Sequence, residues 1–475
     1  MRIHILGVGG TFMGALAILA KQMGHEVSGV DGDVYEPMAS RLKESGIAFG
    51  KYEKDTWLKS NGIDCVLVGN ALSRGHPSIE WLMNSGIPYA SGPEWLSEHL
   101  LKHKKVIAVS GTHGKTSTAT LIAWLLEKKG IKPGYLIGGV PLDLPSNVAL
   151  GESEWFVIEA DEYDTAFFDK RPKFMHYWPS IAVINNIEFD HADIYADLAA
   201  IIKQFGFFLR TIPSQAHVVA PSKDHTVSTL LKAHPWSQHC QFGDGADVWG
   251  EQISDHTYRL HHQSSQVEVV WPLLGEHNFN NLLAAVSVWT CMGLMLSDLP
   301  DLSGFQGVKR RLELYQENAQ RVIYSDFGHH PTAIAKTLEG VRQHKQPRRL
   351  LSVIHMTTNS MHGGAHDKGM LGVLALADAT VLLCDEPDAF DRVSQWTLPA
   401  NTKVLLGCEH LNQVVSEIMS QSNTVNGLKA SSPDQKCADQ KNSAYKDVIV
   451  VFSNKQVSPL LEAISESFST PLAFS

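Results

Sequence analysis

The sequence predicts an α/β fold with parallel, helix-covered sheets, laid out in three successive segments. Three observations carry that expectation. Short apolar runs alternate with helical patterns along most of the 475 residues. Two charged joints interrupt the alternation. A glycine-rich loop follows one apolar run directly and opens a helix, the arrangement that places a phosphate site at the edge of a parallel sheet.

The first segment, residues 1–103, reads as strands at Ile3–Leu6, Glu26–Val30 and Cys65–Val68, with a helix over Gly14–Met23. This is a βαβ unit with Gly7, Gly9, Gly10 and Met13 in its first turn. A dinucleotide fingerprint would need glycine at 12, where the chain has Phe12, although Asp31 at the end of the second strand could still hold a ribose. Lys102-His103-Lys104-Lys105 forms the first joint. The second segment, 104–314, opens on Val106–Val109 and continues through strands at Trp155–Ile158 and Ile181–Ile184 to Arg310-Arg311-Leu312-Glu313. The third, 315–475, has strands around Val322–Tyr324, Leu350–Ile354, Thr380–Leu383, Lys403–Leu406 and Val448–Phe452. Between Gln421 and Lys446 the composition turns polar and predicts a mobile surface loop.

Composition narrows the function classes. With 44% apolar and 19% charged residues the chain is an ordinary globular protein. A net charge of -10 argues against phosphate-rich partners, so neither nucleic acid nor an acidic membrane surface is expected. Six cysteines without CxxC spacing signal neither zinc nor disulfides, and fit a reducing cytoplasm. Met1 runs straight into a strand, so no signal peptide is expected, and no apolar run approaches membrane-spanning length.

The loop Gly111-Thr112-His113-Gly114-Lys115-Thr116-Ser117 carries the most chemistry. Backbone N–H groups at a helix N-terminus hold phosphate oxygens, Lys115 reaches the terminal phosphates, and the Thr116 hydroxyl is placed to ligate Mg²⁺. The chain is therefore expected to use ATP. Glu159-Ala160-Asp161-Glu162-Tyr163-Asp164 crowds four carboxylates at a strand end, which calls for nearby cations or else a solvated turn. Asn185-Asn186-Ile187-Glu188-Phe189-Asp190-His191-Ala192-Asp193 puts a histidine after another strand at the same edge. Asn278 before the Leu282–Val288 helical pattern reads as a cap. Arg311 at the second joint could meet a γ-phosphate, and Asp326 in Asp326-Phe327-Gly328-His329-His330-Pro331 suits a ribose hydroxyl or a plain turn.

Together these stretches resemble the Mur ligases, the ATP-dependent amide-forming enzymes of peptidoglycan assembly. The resemblance runs in order through GTHGKTS, EADEYD, NNIEFDHAD, GEHNFNN, KRRLE and DFGHHPT. It implies a Rossmann-like UDP-binding domain, a central P-loop ATPase domain and a Rossmann-like C-terminal domain. It also implies roles. Thr116, Glu159 and His191 would hold the metal. His277, Asn278 and Asn281 would line the adenine side, with Arg311, Asp326 and His330 completing the ATP site. Gly7, Gly9, Gly10, Met13, Asp31, Asn70 and Arg74 would hold the UDP-sugar. Lys115, Glu159, His191 and Arg311 would be catalytic. Gly69-Asn70-Ala71-Leu72-Ser73-Arg74-Gly75-His76-Pro77 and the run Glu159–Phe174 resemble members that rejoin a recycled tripeptide, L-alanyl-γ-D-glutamyl-meso-diaminopimelate, to UDP-N-acetylmuramate. Two stretches depart from those members: no arginine precedes Asn359, and Lys455-Gln456 stands where a Gly-Gly is expected. A ligase adding L-alanine to the same sugar nucleotide, or a silent binding protein of the same fold, are the alternatives. A monomer or weak dimer acting on small molecules is expected.

Overall fold

Runs of Val, Ile and Leu that are buried on both faces can only be the inner strands of parallel sheets, and that is where they lie. The computed structural model describes residues 1–54, 62–420, 446–455 and 457–469. The predicted loop over 421–445 lies outside them. The chain forms two compact units, 1–189 with 194–273 and 278–308, and 190–193 with 274–277 and 309–475.

In the first unit, five parallel strands stand in the order Ala48–Lys51, Glu26–Asp31, Arg2–Leu6, Cys65–Val68, Tyr89–Ser91. Gly7, with φ of +88°, turns the chain out of the central strand. The helix that follows is Thr11–Gln22, three residues earlier than the sequence predicts, because the glycine loop itself supplies the cap at Gly10. Met13 through Ala20 are all buried in it. At Gly14 a Cβ would lie 2.3 Å from the Met38 sulfur, so this helix sits close against its neighbour Met38–Glu44.

The same unit holds a ten-stranded sheet. Its parallel middle runs Gln238–Phe242, His217–Pro221, Ile181–Ile184, Lys105–Ser110, Trp155–Glu159 and Gly134–Leu136. Beyond Gln238–Phe242 comes Val248–Ser254, followed by two antiparallel strands, Thr257–His262 and Ser265–Val270. The sequence reading holds no strands there. Their alternating charged residues face water, and Arg259 sits between Glu251 and Glu268 on adjacent strands at 3.3 and 2.7 Å. The helix Glu276–Cys291 starts early enough to contain Asn278, which is buried, so the expected cap is instead an interior helical residue.

The second unit has one six-stranded sheet: Glu313–Glu317, Arg321–Asp326, Asp447–Phe452, Leu350–Met356, Ala379–Cys384, Thr402–Leu406. Only the first pair is antiparallel. All five strands expected from the sequence are present, and the last in the chain is inserted between the first two parallel ones. The sheet's Arg321–Asp326 and Leu350–Met356 therefore both flank Asp447–Phe452 and end at one edge, where open α/β sheets bind ligands.

Candidate active site

The strand Lys105–Ser110 leads into the loop read as phosphate-binding. Gly111 has φ of +125° and Gly114 +80°, conformations that L side chains rarely adopt. A Cβ on Gly114 would also lie 2.6 Å from Asn281 Oδ1. Asn186 fixes the loop between them: its carbonyl accepts the Thr112 N–H at 3.2 Å and its side chain the His113 N–H at 2.8 Å. Sequence reasoning placed Asn185-Asn186 at the site but did not foresee this clamping role. The helix Lys115–Lys128 then begins with no side-chain cap, leaving N–H groups at its N-terminus for an anion.

Lys115 points back over the loop. Its ammonium donates to the Gly111 carbonyl at 2.8 Å and to Glu162 at 2.8 Å, with Asp161 3.6 Å away. Burial alone would lower its pKa, but Glu162 and Asp161 more than offset that and hold it above the ordinary lysine value. The acidic cluster thus answers the cation it was expected to need. Thr116 is buried beside Gly139, where a Cβ would stand 2.6 Å from the threonine methyl. Ser117 is half-buried in the first turn.

Beside this loop, in the same unit, lies a cavity of about 500 Å³. Gly7, Gly9, Gly10, Met13, Asp31 and Asn70 all line it, six of the seven residues expected to hold a UDP-sugar. Asp31 pins the glycine loop by accepting the Gly9 N–H at 2.7 Å, and a Cβ there would collide with the carboxylate at 2.9 Å. The far wall is Glu159, Asp161, Thr165 and Lys173. Glu159 accepts the Gly138 N–H at 2.7 Å. Arg74, the seventh, is not in the lining: its guanidinium grips Glu80 through two bonds of 2.9 and 3.0 Å. That grip holds the Glu80 carboxyl down at about 2. Lys173, inside the run Glu159–Phe174, takes no role from the sequence, and only the fold shows that it reaches the cavity.

Of the remaining candidates, Asn278 and Asn281 belong to the first unit, and His191, His277, Arg311, Asp326 and His330 to the second. His191 adopts a left-handed φ of +55°, and its N–H donates to the Asp190 carboxylate at 2.8 Å. Asp190 also accepts from Ser360 at 3.1 Å and pairs with His366 at 3.2 Å. Despite burial, His329, His366 and His191 hold its carboxyl far below the usual range. Asp326 ends its strand buried, accepting the Gly328 N–H at 2.6 Å and the Leu312 N–H at 2.9 Å, and burial raises its pKa. These two backbone bonds fit the expected turn. Arg310 and Arg311 lie over the Phe327 ring at 5.1 and 5.0 Å. Burial, with Lys336 and Arg311 nearby, pushes His277 down to about 4. His330 accepts the Thr332 N–H at the start of Pro331–Lys345.

A P-loop at a parallel sheet edge, an acidic strand end beside it and a glycine-lined cavity adjoining both would suit several nucleotide-dependent enzymes. Comparison with known proteins decides among them. Models of the Mur ligase middle domain, the Mur ligase family catalytic domain and the Mur ligase glutamate ligase domain match residues 109–289, 2–104 and 310–424. The chain belongs to the Mur ligase family. This Mur ligase is 41% identical over 406 residues to the UDP-N-acetylmuramate–L-alanyl-γ-D-glutamyl-meso-2,6-diaminoheptandioate ligase of Haemophilus influenzae, covering 84% of this chain and 89% of that one. It is 42% identical over 395 residues to the enzyme of the same name from Escherichia coli, covering 81% and 85%. The crystal structure of a murein peptide ligase from Psychrobacter arcticus aligns over 100% of both chains, with 32% identity and a TM-score of 0.71. The three-domain α/β architecture expected from the sequence is that of the family.

Proposed function

We propose that this Mur ligase joins L-alanyl-γ-D-glutamyl-meso-diaminopimelate to UDP-N-acetylmuramate, forming a C–N bond with hydrolysis of ATP to ADP and phosphate, in peptidoglycan recycling. The observation that carries the reading is the adjacency within one unit: the cavity that fits a UDP-sugar ends at Asp161, 3.6 Å from the P-loop lysine. A carboxylate does not acylate an amine in water because its oxygen is too poor a leaving group. Attack of the lactyl carboxylate on the γ-phosphate of ATP makes an acyl phosphate, and the peptide amine then displaces phosphate from the acyl carbon.

The residues present fit those substrates. Uncapped N–H groups at the start of Lys115–Lys128, together with Lys115, provide for phosphate oxygens. Mg²⁺, held by Thr116, Glu159 and His191, would neutralise charge on the transferring phosphoryl group. Arg311 would add a second cation, Asp326 a ribose contact, and His277, Asn278, Asn281 and His330 the rest of the ATP site. We assign residues 1–103 to the UDP-sugar, 104–314 to ATP and 315–475 to the amine substrate. Among the described residues no helix is long and apolar enough to cross a membrane, and we place the reaction in the cytoplasm, where sugar nucleotide and ATP meet.

The test is phosphate release from Mg-ATP with UDP-N-acetylmuramate, comparing the tripeptide with L-alanine. Release with tripeptide alone supports recycling. Release with L-alanine alone moves the enzyme to the alanine-adding step, an outcome that the changed loops at Thr357 and Lys455 make worth measuring. In this chain those loops interlock: Thr357 bonds Asn454, and Lys455 pairs with Asp385 at 2.9 Å. A separate expectation concerns Arg74. Arg74→Ala should weaken UDP-N-acetylmuramate binding about tenfold, the loss of one charge-assisted bond, with ATP binding unchanged, as read by calorimetry. Unchanged sugar-nucleotide affinity would confine Arg74 to its Glu80 pairing.

A further inference from the structure

The sugar-nucleotide cavity is electrostatically odd. Its substrate under the reading above carries three or so negative charges, on a diphosphate and a lactyl carboxylate, yet four carboxylates line the cavity: Asp31, Asp33, Glu159 and Asp161. Among the described residues that line it, Lys173 is the one cation. Three of the carboxylates are already engaged. Asp31 takes the Gly9 N–H, Glu159 takes the Gly138 N–H, and Asp33 pairs with Lys51 at 2.8 Å. The fourth, Asp161, stands between two lysines. One of its oxygens is 3.0 Å from Lys173, and the other is 3.6 Å from Lys115.

Lys173 is not a surface lysine caught by chance. Its side chain is 12% exposed, and its ammonium lies 5.9 Å from the Phe12 ring and 5.7 Å from the Tyr163 ring. Apolar walls of this kind strengthen any charge pairing made between them. One carboxylate therefore separates the cation of the sugar cavity from the cation of the P-loop. The reaction has the same spacing requirement: an anionic oxygen must come within about 3–3.5 Å of a phosphorus that is itself held by cations.

We propose, resting on the reading of this chain as a UDP-N-acetylmuramate ligase, that Lys173 binds the lactyl carboxylate of the sugar nucleotide and that Asp161 is the positioning residue that keeps Lys173 beside Lys115. The substrate group nearest Lys115 must be the one that attacks the γ-phosphate, which selects the carboxylate over the diphosphate. The diphosphate has its own provision in the glycine loop, where the helix Thr11–Gln22 starts with no side-chain cap. When the lactyl carboxylate arrives it accepts a second N–H of the Lys173 ammonium, which Asp161 still holds on one side while its other oxygen faces Lys115. Two like charges, the acid's carboxylate and the triphosphate, are then each matched by a lysine before they meet.

The test uses two ligands that differ only where the proposal acts. UDP-N-acetylglucosamine has the same nucleotide and ring but a hydroxyl in place of the lactyl ether. Calorimetric titration of the full chain should show Lys173→Met losing at least tenfold in affinity for UDP-N-acetylmuramate while UDP-N-acetylglucosamine stays within twofold. Lys173→Arg should recover most of the loss. Equal losses for the two ligands would put Lys173 on the diphosphate, and no loss would remove it from binding; either overturns the proposal. A second readout needs no variant. Bound UDP-N-acetylmuramate, and not UDP-N-acetylglucosamine, should protect Lys173 of the wild-type chain from acetylation, as read by mass spectrometry; equal protection by the two overturns the proposal. Wild-type phosphate release is followed in parallel. If turnover with tripeptide is intact and the contrast is missing, the Lys173 assignment fails alone; if turnover is missing and the contrast is present, the ligase reading fails and the assignment stands.

Discussion

Lys115→Ala will reduce phosphate release from ATP by at least about a thousandfold, the upper end of what one preorganised charge contributes to a transition state. The ammonium lies at the mouth of the glycine loop, on the Gly111 carbonyl, where terminal phosphates would enter. No other residue of the described loop brings a charge to that point. The same change removes the cation that pairs with Glu162, 1% exposed, at 2.8 Å. Breaking a buried pair from one side costs about 3–5 kcal/mol, so the variant should also melt at lower temperature. The two effects separate cleanly. Lys115→Ala with Glu162→Gln should recover most of the lost stability, because the neutral amide needs no counter-charge, and should recover none of the phosphate release. Normal turnover by either variant would overturn the phosphate assignment.

What could be read without the fold follows from how local each signal is. The inner strands announce themselves because a strand buried on both faces needs only a short apolar run, and Val106–Val109 or Val448–Phe452 carry that run complete. The P-loop is equally local: its glycines, lysine and hydroxyl are consecutive, and the positive φ of Gly111 and Gly114 is the physical reason for the spacing. The outer strands at Thr257–His262 and Ser265–Val270 lack such a run, since one face is wet and the charged positions look like a loop. The Lys115–Glu162 pair joins residues 47 positions apart, and the clamp of Asn186 on His113 joins residues 73 apart. Periodicity has nothing to say about such pairs. The helix start at Glu276 escapes the sequence reading for a related reason: an Asn at a helix start caps it when exposed, but Asn278 is buried inside the helix, and packing overrides the local preference.

The second large effect is on stability and lies in the C-terminal unit. Asp447 opens the strand Asp447–Phe452 with a side chain that is wholly buried. Arg348 grips it with two bonds of 2.8 and 2.7 Å, and Arg349 adds bonds of 3.3 and 2.8 Å. Burial alone would raise the pKa of that carboxyl, but the two guanidinium groups reverse the sign and hold it below the ordinary aspartate value. Asp447→Asn should cost about 3 kcal/mol at pH 7, the low end for a broken buried pair because Arg348 is 37% exposed and can turn to water. A carboxyl whose pKa is lowered on folding binds fewer protons in the folded chain, so its contribution is complete above about pH 4, the unfolded value, and disappears as the pH falls through the folded one. The gap between wild type and Asp447→Asn should therefore be constant from pH 7 to 5 and narrow below pH 4. Hydrogen exchange of the amides in Arg321–Asp326 and Leu350–Met356, the two strands that flank Asp447, reads this unit separately from the rest of the chain. A gap that stays the same at pH 3 and pH 7 would mean that the loss comes from packing and not from the charge.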